Sequence, residues 1–216
     1  MLVRERMSLN PVTIVPETSV PEALRLMRER KVRRLPVLDD QGQLVGIVSD
    51  RDLLHASPSP ATSLAIWEIH ELLAKLKVEK MMSRDVITVS EDTPLEEAAS
   101  IMADRRIGGL PVMQGKTLVG IITESDLFKA LLQLLGGRRS GVRITVATSG
   151  AKGTVAKLTG AIFAAGGDIV GLGFSEVMDS GGMQYVITFK VQDVPREKLV
   201  EAIRPMVQEI LDVRET

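Results

Sequence analysis

Twice along the chain a short β-branched run is followed by apolar residues at helical spacing and then by two denser apolar runs. Val12-Thr13-Ile14-Val15 precedes Val20, Ala23, Leu24 and Met27, and Ile87-Thr88-Val89 precedes Leu95, Ala98, Ala99 and Met102. The first pattern predicts a strand and the second a helix that buries one stripe. Thr18 and Thr93 are the expected helix caps, with Pro94 at the first helical position and Glu96 completing a capping box in the second segment. Leu35-Pro36-Val37-Leu38 and Leu44-Val45-Gly46-Ile47-Val48 flank the turn Asp39-Asp40-Gln41-Gly42. Leu110-Pro111-Val112-Met113 and Leu118-Val119-Gly120-Ile121-Ile122 flank Gln114-Gly115. Each set reads as a β-hairpin, and a helix is expected to open after it at Ser49-Asp50-Arg51-Asp52 and at Thr123-Glu124-Ser125-Asp126.

These patterns are copies of one another. Val3 to Asp39 aligns with Val78 to Gln114 at a shift of about 75 residues, and a one-residue deletion carries the match on to Asp52-Leu53 over Asp126-Leu127, with about two in five positions identical. A lone copy of some 50 residues buries little surface, so two βαββα units packed as a pseudo-symmetric pair are expected. Their bounds are 1–56 and 78–135, with a linker over 57–77. In that linker His55-Ala56-Ser57-Pro58-Ser59-Pro60 is a breaker-rich loop. Residues 64 to 76 are expected to be a helical segment, carrying Trp67 and His70, with Ile66, Ile69, Leu73 and Leu76 on one side.

The pattern changes after Gly136-Gly137-Arg138-Arg139-Ser140-Gly141. Val142 to Val146 alternates as a strand, and Val155, Leu158, Ile162 and Phe163 keep helical spacing until Gly166-Gly167. Asp168 to Val177 and Met183 to Val191 read as strands joined by a loop over 178–182. A helix with Leu199, Val200 and Ile203 follows Asp193 and Pro195, and Ile210 to Val213 closes the sheet. The order βαββαβ over 141–216 is the ferredoxin-like split motif, so the fold class of the whole chain is α+β.

Composition narrows the chemistry. The 216 residues are 44% hydrophobic, 25% charged and 3% aromatic, ordinary for a folded protein. Lys plus Arg is 27 against 28 for Asp plus Glu, which offers no long-range attraction for nucleic acid or an anionic membrane. No apolar run reaches the roughly 20 residues of a spanning helix. Met1-Leu2-Val3-Arg4-Glu5-Arg6 lacks the apolar core of a signal peptide, so a cytoplasmic protein is expected. Without Cys and with two isolated His, thiolate catalysis and Cys/His zinc sites are excluded. No Walker-type run is present, and His55 and His70 lie outside the repeated motif. No catalytic residue, metal site or catalytic cofactor is therefore expected.

The repeated Gly46-Ile47-Val48-Ser49-Asp50-Arg51-Asp52 places a hydroxyl at a helix start and a carboxylate one turn on, and Gly120, Thr123 and Asp126 repeat it. Unpaired N–H groups there suit a phosphate, and a carboxylate can accept both hydroxyls of a ribose. The same residues fit equally well as N-caps with favourable first-turn acids. Before the Leu-Pro-Val runs the copies differ: Arg33 and Arg34 offer cationic forks for phosphate, whereas Gly108 and Gly109 permit close backbone approach. An alternative for Arg28, Arg30, Lys31, Arg33 and Arg34 is a solvated helix end that complements the dipole.

The order Met-Ser, Val-Thr-Ile, helix, Leu-Pro-Val, Gly-Ile-Val-Ser-x-x-Asp resembles a CBS domain, and its doubling over about residues 3 to 130 resembles a Bateman module. The resemblance implies an adenine-nucleotide ligand such as AMP, ADP or ATP, with Ser49, Arg51, Asp52, Thr123 and Asp126 at ribose and phosphate. It implies adenine held by backbone and apolar walls at Pro11, Thr13 and Ile14, at Val86, Thr88 and Val89, at Val32-Arg33-Arg34 and at Ile107-Gly108-Gly109. Phe163-Ala164-Ala165-Gly166-Gly167-Asp168-Ile169 resembles an ACT domain, which implies side-by-side pairing and an amino-acid ligand. The loop Ser149-Gly150-Ala151-Lys152-Gly153-Thr154 departs from that family by lacking its Pro. A CBS pair followed by ACT resembles the acetoin-utilisation AcuB family, which implies a homodimeric sensor that modulates a partner. The alternatives are a scaffold with degenerate clefts, an S-adenosylmethionine sensor and, less in keeping with the residues, a nucleotide-processing enzyme.

Overall fold

The computed structural model describes residues 1–55, 75–179 and 182–216, so most of the expected linker helix, with Trp67 and His70, lies outside the described residues. The chain divides into two compact units, Met1–Leu127 and Phe128–Thr216.

The first unit contains β1 (Ser8–Leu9), α1 (Val20–Arg30), β2 (Arg34–Leu38), β3 (Leu44–Ser49), α2 (Asp50–His55), β4 (Val89–Ser90), α3 (Leu95–Arg105), β5 (Gly109–Gln114) and β6 (Thr117–Thr123). The repeat expected from sequence is visible in detail. Val20, Ala23 and Met27 of α1 are buried against Leu35, Val37 and Val48; Leu95, Ala98 and Met102 of α3 recur with Leu110, Val112 and Ile122. A fully buried aliphatic side chain contributes about 1.5–3 kcal/mol, so these matched stripes dominate the stability of each repeat. Both helices end on a left-handed residue at φ 54° and ψ 39°, Lys31 and Arg106. The following N–H groups, of Val32 and Ile107, donate back to Met27 and Met102 carbonyls at 2.9 and 3.0 Å. That closes a Schellman-type end in each copy. The hairpins share an irregularity too, at Val37/Leu38 and Val112/Met113.

Each repeat lends its opening segment to the other. β1 pairs with β6 through Ser8 and Ile121, and Ser83 bridges Ile47 in the same antiparallel sense. Val3 and Val78, matched across the repeat, are both fully buried. The exchange also changes the helix starts. Thr18 and Thr93 are not the caps; their Oγ1 atoms accept from Val15 and Ser90 N–H groups at 3.3 and 3.1 Å, while Ser19 and Pro94 occupy the cap positions. The first helical N–H groups donate instead to the exchanged segments, Val20 to the Leu76 carbonyl and Leu95 to the Met1 carbonyl, both at 3.0 Å. A side-chain cap is unnecessary where a backbone carbonyl fills the role. Gly46 and Gly120 have the same origin: a Cβ would lie 2.5 Å from Met82 Sδ in one and 2.6 Å from Met7 Sδ in the other. These glycines seat a methionine of the exchanged segment.

α4 (Glu124–Leu134) gives its first turn to the first unit and the remainder to the second. The second unit continues with β7 (Val142–Thr148), α5 (Thr154–Ala164), β8 (Asp168–Asp179), β9 (Gly182–Gln192), α6 (Arg196–Ile203) and β10 (Glu209–Glu215). Its antiparallel sheet runs β10-β7-β9-β8, the strand order of the ferredoxin-like split motif. Ile144, Val146, Ile187 and Phe189 of the sheet bury Leu158 and Ile162 of α5 and Leu199 and Ile203 of α6. Gly166 takes φ 87° as α5 ends, the left-handed turn that its glycine makes inexpensive. Asp212 of β10 accepts from Arg143 of β7 at 2.8 Å and from Arg214 at 2.7 Å, and the Arg214 hydrogen bond leads in holding its carboxyl below the usual range. Among the described residues no helix is long and apolar enough to cross a membrane.

Candidate functional site

A cleft of about 880 Å³ in the first unit draws on both repeats. From the first repeat it takes Arg33, Arg34, Ser49, Asp50, Arg51, Asp52 and His55; from the second it takes Asp85, Val86, Ile87, Arg106, Ile107, Gly108, Gly109 and Glu124. Of the residues anticipated from sequence, the cleft therefore gathers Arg33, Arg34, Ser49, Arg51, Asp52, Val86, Ile107, Gly108 and Gly109. Pro11, Thr13, Ile14, Val32, Thr88, Val89, Thr123 and Asp126 are not among its lining. Ile14 and Val89 are buried core residues, and Asp126 is 8% exposed.

The Ser49 hydroxyl donates to Asp52 Oδ2 at 2.6 Å and the Ser49 N–H donates to the same oxygen at 2.8 Å, while the Asp52 N–H returns to Ser49 Oγ at 3.3 Å. Thr123 and Asp126 repeat the hydroxyl bond at 2.7 Å and the backbone bond at 3.1 Å. The first is a capping box with Asp in place of the usual Glu, and the second shares its carboxylate half. The local geometry thus serves the helix starts, and it also leaves a hydroxyl and a carboxylate of the first copy at the edge of the cleft.

Strand pairing sets the arginines. Arg34 opens β2 opposite Ser49, and Gly109 opens β5 opposite Thr123. Because Gly109 carries no side chain, Arg34 can cross to the second repeat. A Cβ on Gly109 would lie 3.2 Å from Arg34 Cδ, and one on Gly108 would fall on the Arg34 guanidinium and 2.8 Å from Glu124 Oε2. Burial lowers the Arg34 pKa from its ordinary value and Arg33 adds to this, with Glu124, Asp50 and Asp52 opposing.

Sequence reasoning missed Glu124 and His55. The repeat alignment held the signal for Glu124, since it pairs with Asp50; the N–H groups of both donate to the residue before the strand, Asp50 to the Arg33 carbonyl and Glu124 to that of Gly108. His55, assigned to a loop, is the last residue of α2 and lines the cleft. Four arginines and four carboxylates share the lining, and among the described residues no cluster of three or more His, Cys, Asp or Glu could hold a metal ion.

A family model described as CBS domain matches residues 3–59 and 78–133, more than half of the chain. The chain belongs to the CBS-domain family. Solved CBS structures share its fold. A Vibrio cholerae structure named as an acetoin utilization protein (AcuB) is 33% identical with a TM-score of 0.53, covering 64% of this chain and 95% of its own. CBSX2 in complex with AMP is 34% identical at a TM-score of 0.51, covering 61% and 96%. The CBS domain pair of protein MJ0100 in complex with 5′-methylthioadenosine and S-adenosyl-L-methionine is 29% identical at 0.52, covering 64% and 98%. Several curated relatives are much longer, this CBS pair and its flanks spanning 23% to 45% of their length. The family model ends at residue 133, so the sheet of the ferredoxin-like unit, which begins at Val142, lies beyond it.

Proposed function

We propose that the CBS pair binds an adenine nucleotide in the inter-repeat cleft and modulates a partner by favouring one arrangement of the pair, since only differential affinity can shift such an equilibrium. The observation that carries this reading is the convergence of Ser49, Arg51 and Asp52 with Val86, Ile107, Gly108 and Gly109 on one cleft. Asp52 is assigned the ribose hydroxyls, and Ser49 with Arg33, Arg34 and Arg51 the phosphate, where arginine forks bind strongly. Val86 and Ile107 are assigned the walls of the base. Thr123 and Asp126, the counterparts of Ser49 and Asp52, are assigned to a second, weaker seat, where Gly108 and Gly109 stand in place of the arginine pair. The AMP complex of CBSX2 supports the ligand class. The second reading is an adenosyl thioether or sulfonium, supported by the MJ0100 complex. We assign the ferredoxin-like unit as an ACT-type module of a homodimer, supported by its strand order, with any amino-acid ligand at the loop over 149–154.

Calorimetric titration of AMP, ADP, ATP and S-adenosylmethionine into the full chain tests the reading. Saturable nucleotide binding is expected, weakened about tenfold or more in Asp52→Ala, the usual loss for a hydrogen bond to a charged group. No heat and no rise in unfolding temperature with any of the four would discard it, because a ligand of the folded state must stabilise it.

A further inference from the structure

Arg34 has two sets of partners within reach, and that duality rests on the two glycines of the second repeat. Its backbone pairs with Ser49, at the centre of the proposed nucleotide seat, while its side chain runs over Gly109 to Gly108 and ends beside Glu124. The pseudo-symmetric arm is missing, since Gly109 stands where Arg34 stands in the first repeat. The guanidinium is half-buried, and Glu124 is the leading charge that favours its protonated form. A phosphate entering beside Ser49 presents anionic oxygens that an arginine fork can take two at a time, as it can those of a carboxylate, and carries the larger negative charge.

We infer that Arg34 is the residue that sets preference for phosphate-bearing adenosine ligands, by exchanging Glu124 of the second repeat for the ligand's phosphate. This inference rests on the nucleotide reading above. The Arg34 arm links the two repeats electrostatically; a bound phosphate takes the arm and leaves Glu124 without it. Ligand binding and the inter-repeat link then compete for one guanidinium, and by linkage each weakens the other to the same degree. Adenosine, which has no phosphate, leaves the arm in place.

The experiment compares AMP with adenosine by calorimetry on the full chain and on Glu124→Gln, Arg34→Ala and Arg34→Lys, with thermal unfolding of each variant to establish that it folds. Removing the competing carboxylate in Glu124→Gln is expected to tighten AMP at least about fivefold, the low end of usual coupling, with adenosine unchanged. Arg34→Ala is expected to narrow the gap between AMP and adenosine by weakening AMP alone, and Arg34→Lys to restore part of the difference as a point charge without the fork. Gly108→Ala, whose Cβ displaces the guanidinium, is expected to mimic Glu124→Gln. If wild type binds AMP but Glu124→Gln and Arg34→Ala shift AMP and adenosine alike, the exchange is overturned and the nucleotide reading stands. Wild type binding neither ligand overturns both.

Discussion

Lys31 and Arg106, Leu35 and Leu110, Val37/Leu38 and Val112/Met113 are matched pairs in which the two repeats share backbone angle, burial and strand irregularity. Two residues beyond Lys31 and Arg106 the match ends: Arg33-Arg34 faces Gly108-Gly109, and one arginine reaches into the space the second glycine leaves open. The core of a duplicated unit is held by close packing, which tolerates few departures, whereas the rim is free to diverge and to make one end of a cleft unlike the other. In this pair the preference between ligands is to be sought where the copies differ, and stability where they agree.

The agreement can be broken most severely in the cores. Leu35 and Leu110 are both fully buried, so Leu35→Ala and Leu110→Ala are each expected to cost about 2–5 kcal/mol. Urea unfolding of the two variants should give similar losses and a single transition for the first unit, because each core also contains a segment of the other repeat. A large loss in one repeat with a small one in the other would show that the exchanged segments do not bind the two cores into one cooperative body.

The carboxylates at the two helix starts sharpen the contrast at the rim. Asp52→Ala and Asp126→Ala each remove the acceptor of a backbone N–H and a hydroxyl, at about 1 kcal/mol. The loss is expected to be larger at Asp126, which is 8% exposed where Asp52 is half-buried. Affinity for AMP at the tight seat is expected to fall only in Asp52→Ala. Equal falls in both would mean that the second repeat binds as tightly as the first, and the difference between Arg34 and Gly109 would then carry no consequence for ligands.

Much of this was legible because hydrophobic period and turn chemistry are local properties. The stripes of α1 and α3, the hairpins around Gly42 and Gly115, and the succession of strands and helices in the second unit all follow from residues close together in sequence. The exchange of opening segments was not, since Val3 to Ser8 and Val78 to Ser83 share their Val, Met and Ser positions and periodicity cannot say which core a copy enters. The cap assignments at Thr18 and Thr93 failed for the same reason: their competitors, the Leu76 and Met1 carbonyls, arrive from far along the chain. In the cleft, the motif residues of the first copy were found and the arm of Arg34 was not. Its path depends on the absence of side chains at Gly108 and Gly109, some 75 residues away.

The smallest expected effect concerns the left-handed residues that close the two helices. A residue with a Cβ loses about 1–2 kcal/mol in that conformation, whereas glycine adopts it freely but loses more backbone entropy on folding. Lys31→Gly and Arg106→Gly are therefore expected to stabilise the protein slightly, by up to about 1 kcal/mol each. Lys31 is not in the cleft lining and Arg106 is, so the pair separates backbone from charge. Thermal unfolding should register a similar gain in both, while AMP affinity should stay unchanged in Lys31→Gly and weaken in Arg106→Gly if the second repeat contributes charge to the phosphate. Unchanged affinity in Arg106→Gly would confine phosphate recognition to the arginines of the first repeat, and would make the asymmetry of the cleft deeper than its lining suggests.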